Sequence, residues 1–283
     1  MKNIAVLTAT RAEYGLLAPI IKKLKLNIDL SVHVLVTGMH LSPEFGLTYK
    51  EIEEDGIHID KKIEMLLSSD TPSAISKSMG LAMIGFADYF ADHQIDALLV
   101  LGDRYETLAV CCAAMNARIP IFHLYGGEVT FGAVDEAIRH CITKMSYLHF
   151  TSTEEYRKRV IQLGEAPERV YNVGAMGVEN ALNVKLLEKK ELENELNFSL
   201  DNSYALVTFH PVTLESQSSE QQVAELLDAL DNFKDMKFII TKSNADADGR
   251  VINELFKKYV EDNDNCILVD SLGTLKYLSA MKY

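Results

Sequence analysis

Cysteine is scarce in this chain, four residues in 283, and Cys111, Cys112, Cys141 and Cys266 show neither CxxC nor a His/Cys ligand spacing. A disulfide framework and a zinc site are therefore not expected, and buried free thiols are. Basic residues are also in short supply: 28 Lys and Arg stand against 41 Asp and Glu, a formal charge of −13. That balance excludes a main task of coating nucleic-acid or anionic-membrane phosphates, so any anion it binds must meet a local cluster of donors. Long apolar runs are missing too. The opening Ile4-Ala5-Val6-Leu7 gives way to threonines and Arg11, too short for a signal core or a membrane span, and reads as the buried first strand of a cytoplasmic protein. Neither GxGxxG nor GxxxxGK[ST] follows it, which leaves a nicotinamide fingerprint and a Walker-type loop unsupported. No internal repeat or low-complexity tract competes with a globular reading.

What is present is ordinary globular material, 48% hydrophobic and 24% charged, in a chain of 283 residues. At about 150 residues per domain this suggests two domains. Short apolar runs alternate with amphipathic stretches, the pattern of βα units around a parallel sheet. Strands are expected at Asn3 to Leu7, Val32 to Val36, Ala97 to Leu101, Ile119 to Leu124 and Leu148 to Thr151. Helices are expected at Leu16 to Leu26, Ala74 to His93, Thr107 to Asn116, Val134 to Met145 and Glu154 to Leu163. These make one doubly wound domain over residues 1–173. A second series over 174–283 contains a helix near Val178 to Leu192, then strands at Tyr204 to Phe209, Lys237 to Thr241 and Cys266 to Val269. Helices at Glu220 to Phe233 and Gly249 to Val260 and from Thr274 accompany them. Having fewer units than the first, the second domain is expected to be a partial one, with a cleft between the two halves.

In parallel α/β sheets ligands bind beyond the carboxyl ends of the strands, so the residues after each apolar run carry the functional signal. After the first strand comes Thr8-Ala9-Thr10-Arg11-Ala12-Glu13-Tyr14-Gly15, opening a helix whose free N–H groups and Arg11 suit a phosphate. After the Ala97 strand, Gly102-Asp103-Arg104-Tyr105-Glu106 puts a carboxylate and a guanidinium at the mouth of the sheet. The next strand ends in His123-Leu124-Tyr125-Gly126-Gly127-Glu128, where glycines would admit a ligand close to the backbone and Glu128 could work as acid or base. Asp135 and Glu136 fall in the first turn of a helix, with Arg139 and His140 one turn on; acidic residues there also stabilise a helix without any chemistry. In the second half, Phe209-His210-Pro211-Val212-Thr213 closes a strand with His210, and Lys242-Ser243-Asn244-Ala245-Asp246-Ala247-Asp248-Gly249 closes another. Asp246 and Asp248 lack an EF-hand pattern, so no metal is expected.

Thr10-Arg11-Ala12-Glu13-Tyr14-Gly15, Gly102-Asp103-Arg104-Tyr105-Glu106, Gly126-Gly127-Glu128, Ile138-Arg139-His140 and His210-Pro211-Val212-Thr213, in this order, resemble the hydrolysing UDP-N-acetylglucosamine 2-epimerases of bacterial sialic and legionaminic acid synthesis. The resemblance runs over essentially the whole chain. It implies two Rossmann-like domains of the glycosyltransferase-B type, a homodimer, and no redox cofactor. It also implies conversion of a UDP-2-acetamido-glucose-type sugar to the free 2-epimer plus UDP, by elimination to a glycal and hydration. By the same resemblance, Asp103, Glu128, Asp135 and His210 are catalytic candidates. Arg11 and Gly15 belong at the nucleotide end, Arg104 and His210 at the diphosphate, and Asn244 near UDP. Where animal and non-hydrolysing relatives carry an acidic residue, this chain has Tyr125. Relatives continue into a Gly-Asn-Ser-Ser-type loop, so a truncated second domain and weak UDP binding are expected. A non-hydrolysing epimerase is the main alternative, although its strand-end Asp is typically followed by threonines; a glycosyltransferase and an inactive sugar-nucleotide binder are others.

Overall fold

A computed structural model describes residues 1–200, 203–210, 218–243 and 249–283. It divides into two units, Met1–Leu182 and Asn183–Tyr283. The first is built on a seven-stranded parallel sheet in the order β3-β2-β1-β4-β5-β6-β7. Its strands are β1 (Lys2–Thr8), β2 (Leu30–Thr37), β3 (Lys61–Ile63), β4 (Ala97–Leu101), β5 (Ile121–Leu124), β6 (Leu148–Thr151) and β7 (Val170–Asn172). Between them run helices α1 (Arg11–Lys25), α2 (Tyr49–Glu54), α3 (Pro72–Asp92), α4 (Tyr105–Asn116), α5 (Asp135–Met145) and α6 (Glu154–Gln162), and α7 (Met176–Asn183) follows β7.

The central strands are apolar on both faces because both faces are covered. All five residues of β4 are buried. Leu98 and Val100 of β4, with Leu7 and Leu35, meet Phe86 of α3 and Ala109 and Val110 of α4. The alternate residues Leu99 and Leu101, with Val6, Val34 and Val36, meet Leu17 and Ile21 of α1. A strand's period of two thus feeds two helical layers from one run of aliphatic residues. Burying a side chain such as Leu98 in this setting is worth about 2 kcal/mol.

The second unit carries a three-stranded parallel sheet, β8 (Tyr204–Thr208), β9 (Lys237–Thr241) and β10 (Cys266–Val269), in the order β10-β9-β8. Helices α8 (Lys189–Leu196), α9 (Ser219–Leu230), α10 (Gly249–Glu261) and α11 (Gly273–Lys282) accompany it. Val223, Phe238, Ile240, Ile252 and Phe256 form one core cluster, and Leu192, Leu200, Ile239 and Leu272 another.

The single helix expected from Val178 to Leu192 is two helices. α7 stays with the first unit, where Asn180 Nδ2 donates to the Gly15 carbonyl at 2.9 Å. α8 starts afresh because the Glu191 carboxylate takes the backbone N–H of Glu188 at 2.9 Å, and Leu187 N–H is taken by Ser279 Oγ at 2.9 Å. The division between units accordingly lies after Leu182, where the sequence pointed to residue 173. β3 and α2 are too short for their apolar periodicity to be seen in the sequence. Among the described residues no helix is long and apolar enough to cross a membrane, and all four cysteines are free.

Candidate active site

The connections from β1 run toward β2 and β3, whereas those from β4 run toward β5, β6 and β7, so the strand order reverses between β1 and β4. Such a switch point opens a crevice at the carboxyl ends of the strands. At the end of β1, Thr10 caps α1 and Glu13 closes the loop. Glu13 Oε2 accepts from Ala9 N–H at 2.7 Å and Thr10 N–H at 3.0 Å, while Thr10 Oγ1 accepts from Glu13 N–H at 3.4 Å. This fixes the backbone into Arg11, the first residue of α1. Glu13 is buried, and burial pushes its carboxyl up from 4.5 to about 7, with the Arg104 charge working against the rise. Its Oε1 has no hydrogen-bond partner in the structure.

Two neighbours close this corner. Gly38, at φ 59°, follows β2 so tightly that a Cβ there would lie 3.0 Å from the Ala9 carbonyl oxygen and 3.3 Å from Glu106 Oε1. His40 is fully buried between Thr8 Oγ1 at 2.9 Å and Thr48 Oγ1 at 2.7 Å, and burial pushes its imidazole down to about 3. It is neutral throughout the physiological range.

After β4, Asp103 and Arg104 turn to different partners rather than to each other. Arg104 Nε and Nη2 donate to Glu106 Oε2 and Oε1, each at 3.1 Å, and the Glu106 side chain is wholly buried. Asp103 Oδ2 accepts instead from Nη2 of Arg139, which lies on α5.

Arg139 is the hub of the next loop. The same Nη2 donates to Thr130 Oγ1 at 2.9 Å, and Nη1 donates to the Glu128 carbonyl oxygen at 3.0 Å and to Glu136 Oε2 at 3.4 Å. Glu136 Oε2 also accepts from Thr130 N–H at 2.7 Å, and its Oε1 lies 3.2 Å from His140 Nε2. The spacing of Glu136, Arg139 and His140 puts all three on one face of α5. The Glu128 side chain points to a separate donor, Ser152 Oγ after β6, at 2.6 Å.

Gly126 and Gly127 serve the packing of this loop rather than the close approach of a ligand. A Cβ on Gly127, at φ 82°, would lie 2.4 Å from the Tyr156 carbonyl oxygen of α6, and one on Gly126 would lie 3.1 Å from His123 Nδ1. Tyr125 adopts φ 67°, and its hydroxyl accepts from Gly177 N–H at 3.3 Å. His123 is buried, with Nε2 2.7 Å from the carbonyl oxygen of Gly102, and burial pushes it down to about 4. It ties the end of β5 to the residue just before Asp103.

Of the residues singled out in the sequence, Asp103 and Glu128 converge through Arg139, and Asp135 opens α5 beside them, half-buried. Arg11 and Arg104 flank Glu13's corner. Gly15 lies within α1, its carbonyl engaged by Asn180. His210 is exposed just beyond β8 in the second unit, and Asn244 lies outside the described residues. Glu13, Glu106, Arg139, Thr130 and Ser152 are the partners that hold these loops. Glu13, Glu106 and Arg139 lie within the motifs quoted from the sequence, and the i, i+3, i+4 spacing of Glu136, Arg139 and His140 marks that face of α5, whereas nothing local marks Thr130 or Ser152. Among the described residues no cluster of His, Cys, Asp and Glu could hold a metal ion.

A family model described as UDP-N-acetylglucosamine 2-epimerase matches residues 22–283. The chain is 45% identical over 282 residues to the GDP/UDP-N,N'-diacetylbacillosamine 2-epimerase (hydrolyzing) of Campylobacter jejuni, covering 99% of this chain and 73% of that one. It is 42% identical over 284 residues to the polysialic acid biosynthesis protein P7 of Escherichia coli, covering 100% of this chain and 72% of that one. Among solved structures, the UDP-GlcNAc 2-epimerase from Neisseria meningitidis bound to UDP-GlcNAc superposes with a TM-score of 0.79 at 20% identity, over 99% of this chain and 75% of that one. This last likeness carries the fold, the two-Rossmann class of glycosyltransferase-B-like proteins that the motifs implied. With the family match over most of its length and these relatives above 40% identity, the chain belongs to the hydrolysing UDP-N-acetylglucosamine 2-epimerase family.

Proposed function

We propose that the chain converts a UDP-linked 2-acetamido sugar and water to the free 2-epimer and UDP, in the supply of nonulosonic acids of the sialic or legionaminic type. The sugar is UDP-N-acetylglucosamine or its 2,4-diacetamido-2,4,6-trideoxy counterpart, and the relative from Campylobacter jejuni favours the second. In the first step a carboxylate takes the C2 proton while the C1–O bond breaks, its electron pair leaving with UDP and a C1–C2 double bond remaining. In the second, a proton is added to C2 from the opposite face, and water adds its oxygen to C1 and gives up its own proton. Asp103, Glu128 and Asp135 are the proposed acid/base groups. Arg104 and His210 are assigned to the diphosphate, Arg11 and Gly15 to the nucleotide end and Asn244 to UDP. Loss of UDP concentrates negative charge, which cationic donors must meet as it forms.

The observation that carries this reading is the junction of the Asp103 and Glu128 loops on one guanidinium at the carboxyl ends of adjacent strands, β4 and β5. Two carboxylates from separate strand ends can address opposite faces of a small ring, as inversion at C2 requires. A homodimer in the cytoplasm, where UDP-sugars are made, completes the proposal. Leu81, Met83 and Ile84 of α3 and Met115 of α4 leave apolar surface exposed for such a contact, which sedimentation equilibrium would test.

Incubation with each UDP-sugar in D2O tests the chemistry by NMR. The expected products are UDP and the free 2-epimer carrying deuterium at C2. A 2-epimer still linked to UDP would instead establish the non-hydrolysing reaction, and release of UDP without C2 label would point to transfer chemistry.

A further inference from the structure

Arg139 is almost wholly buried, with its side chain 6% exposed, yet it spends four donor contacts on three different segments. Those segments are the loop after β4 (Asp103), the loop after β5 (the Glu128 carbonyl and Thr130) and its own helix (Glu136). A planar guanidinium has a fixed fork of donors, so the positions of its acceptors are set relative to one another. We propose that Arg139 is a positioning residue, which holds the Asp103 carboxylate at a fixed distance from the backbone that carries Glu128 and so sets the geometry of proton removal and return at the sugar.

The groups around this junction divide into those that can replace it and those that cannot. Glu136 and His140 of α5 share its charge, Glu136 through Nη1 and His140 through Glu136. Arg104 is taken by Glu106 and does not reach Asp103. His123 is buried, on the Gly102 carbonyl. Among these groups Arg139 alone contacts both loops, and this distinguishes it from Glu136, which anchors only the Thr130 side. The inference rests on the epimerase reading, because it is that reaction which demands two acid/base groups at a defined separation.

Two substitutions separate charge from geometry. In Arg139→Met both are lost: kcat is expected to fall at least about 100-fold with KM changing less than about threefold, and the acid limb of kcat/KM to move up as Asp103 loses its cation. In Arg139→Lys the charge stays and the fork goes: the acid limb is expected to hold while kcat falls about tenfold. Wild-type kcat in either variant, or an unmoved acid limb in a folded Arg139→Met, overturns the proposal. If Arg139→Met does not fold, Arg139→Lys decides on kcat alone. A readout independent of turnover keeps the two levels apart. In protein labelled with carboxyl-13C aspartate, the Asp103 resonance, assigned by its loss in Asp103→Asn, is expected to titrate at higher pH in Arg139→Met than in wild type. Wild-type protein that neither releases UDP nor labels C2 defeats the epimerase reading. An Asp103 resonance that titrates identically in both proteins defeats the assignment to Arg139.

Discussion

Two arginines, Arg104 in the loop after β4 and Arg139 on α5, are each held by carboxylates, and they are held in opposite ways. Arg104 is clasped by Glu106, two residues along its own chain, with buried Glu13 nearby; Glu106 is completely buried. Arg139 reaches across three segments to carboxylates that stay partly in solvent, Asp103 with 24% and Glu136 with 30% of the side chain exposed. A charge pair sealed from water holds the backbone in place and is costly to break, whereas a pair at the water's edge can exchange partners with a ligand. On the proposed reaction, Glu106 and Glu13 then hold Arg104 in place for the diphosphate, while the more solvated Asp103–Arg139 junction is the one placed to work on the sugar.

The sharpest way to break that division is Asp103→Asn. Turnover, read as C2 deuterium uptake and UDP release, is expected to fall about 10³-fold, within the usual worth of a general acid or base, while the urea midpoint stays near wild type. Glu106→Ala should act first on stability. It removes the buried carboxylate that takes two N–H groups of Arg104, at a cost of about 3 kcal/mol in urea unfolding. An Asp103→Asn protein that unfolds, beside a Glu106→Ala protein of wild-type stability, would exchange the two roles.

Glu13 sharpens the same contrast through pH. Its folded carboxyl stands at about 7 against 4.5, so between those values the native state holds more protons than the unfolded state. Stability from this group is complete below about pH 4.5 and is lost as pH rises to 7, a fall of about 3 kcal/mol at 1.36 kcal/mol per unit. His40 and His123, pushed down from 6.5 to about 3 and about 4, act with the opposite sign and cost stability as pH drops below 6.5. Glu13→Gln keeps an acceptor for the two loop amides and removes only the first of these slopes. The difference between variant and wild type in urea unfolding should therefore grow from pH 4.5 to 7 in favour of the variant, and then level off.

How much of this was legible in the sequence follows from the range of each interaction. Strands β1, β4 and β5 were readable because each is a short, mainly apolar run, and that run is the physical cause of its burial between helices. The positions of Asp103 and Glu128 were readable by the same route, as residues immediately beyond such runs. Their partners were not. Arg139 meets Asp103 across 36 positions and Ser152 meets Glu128 across 24, pairings created only when the sheet brings strand ends side by side. The sequence also offered Gly126 and Gly127 as openings for a ligand. A neighbouring helix and a buried imidazole occupy that space, and no local signal announces a contact made by Tyr156 of α6, far along the chain. Asp103 and Arg104 are adjacent in the sequence, yet successive residues leave a strand end in different directions, and each meets its own partner, Arg139 and Glu106.

Ser152 supplies the smallest effect and the finest division, between fixing a backbone and fixing a side chain. Arg139 fixes where the Glu128 main chain lies, through its carbonyl oxygen; Ser152 fixes only where the carboxylate points, through a single hydroxyl at 2.6 Å. Removing that hydroxyl in Ser152→Ala leaves the loop in place and releases one torsion, so a loss of about 1 kcal/mol of transition-state positioning is expected, roughly fivefold in kcal-to-rate terms. The fall should appear in kcat more than in KM, because the substrate's remote contacts are untouched. Ser152→Thr, which keeps the hydroxyl, should recover most of it. If Ser152→Ala costs as much as Arg139→Met, side-chain aim and not loop position limits the reaction, and the distinction between the two anchors of Glu128 disappears.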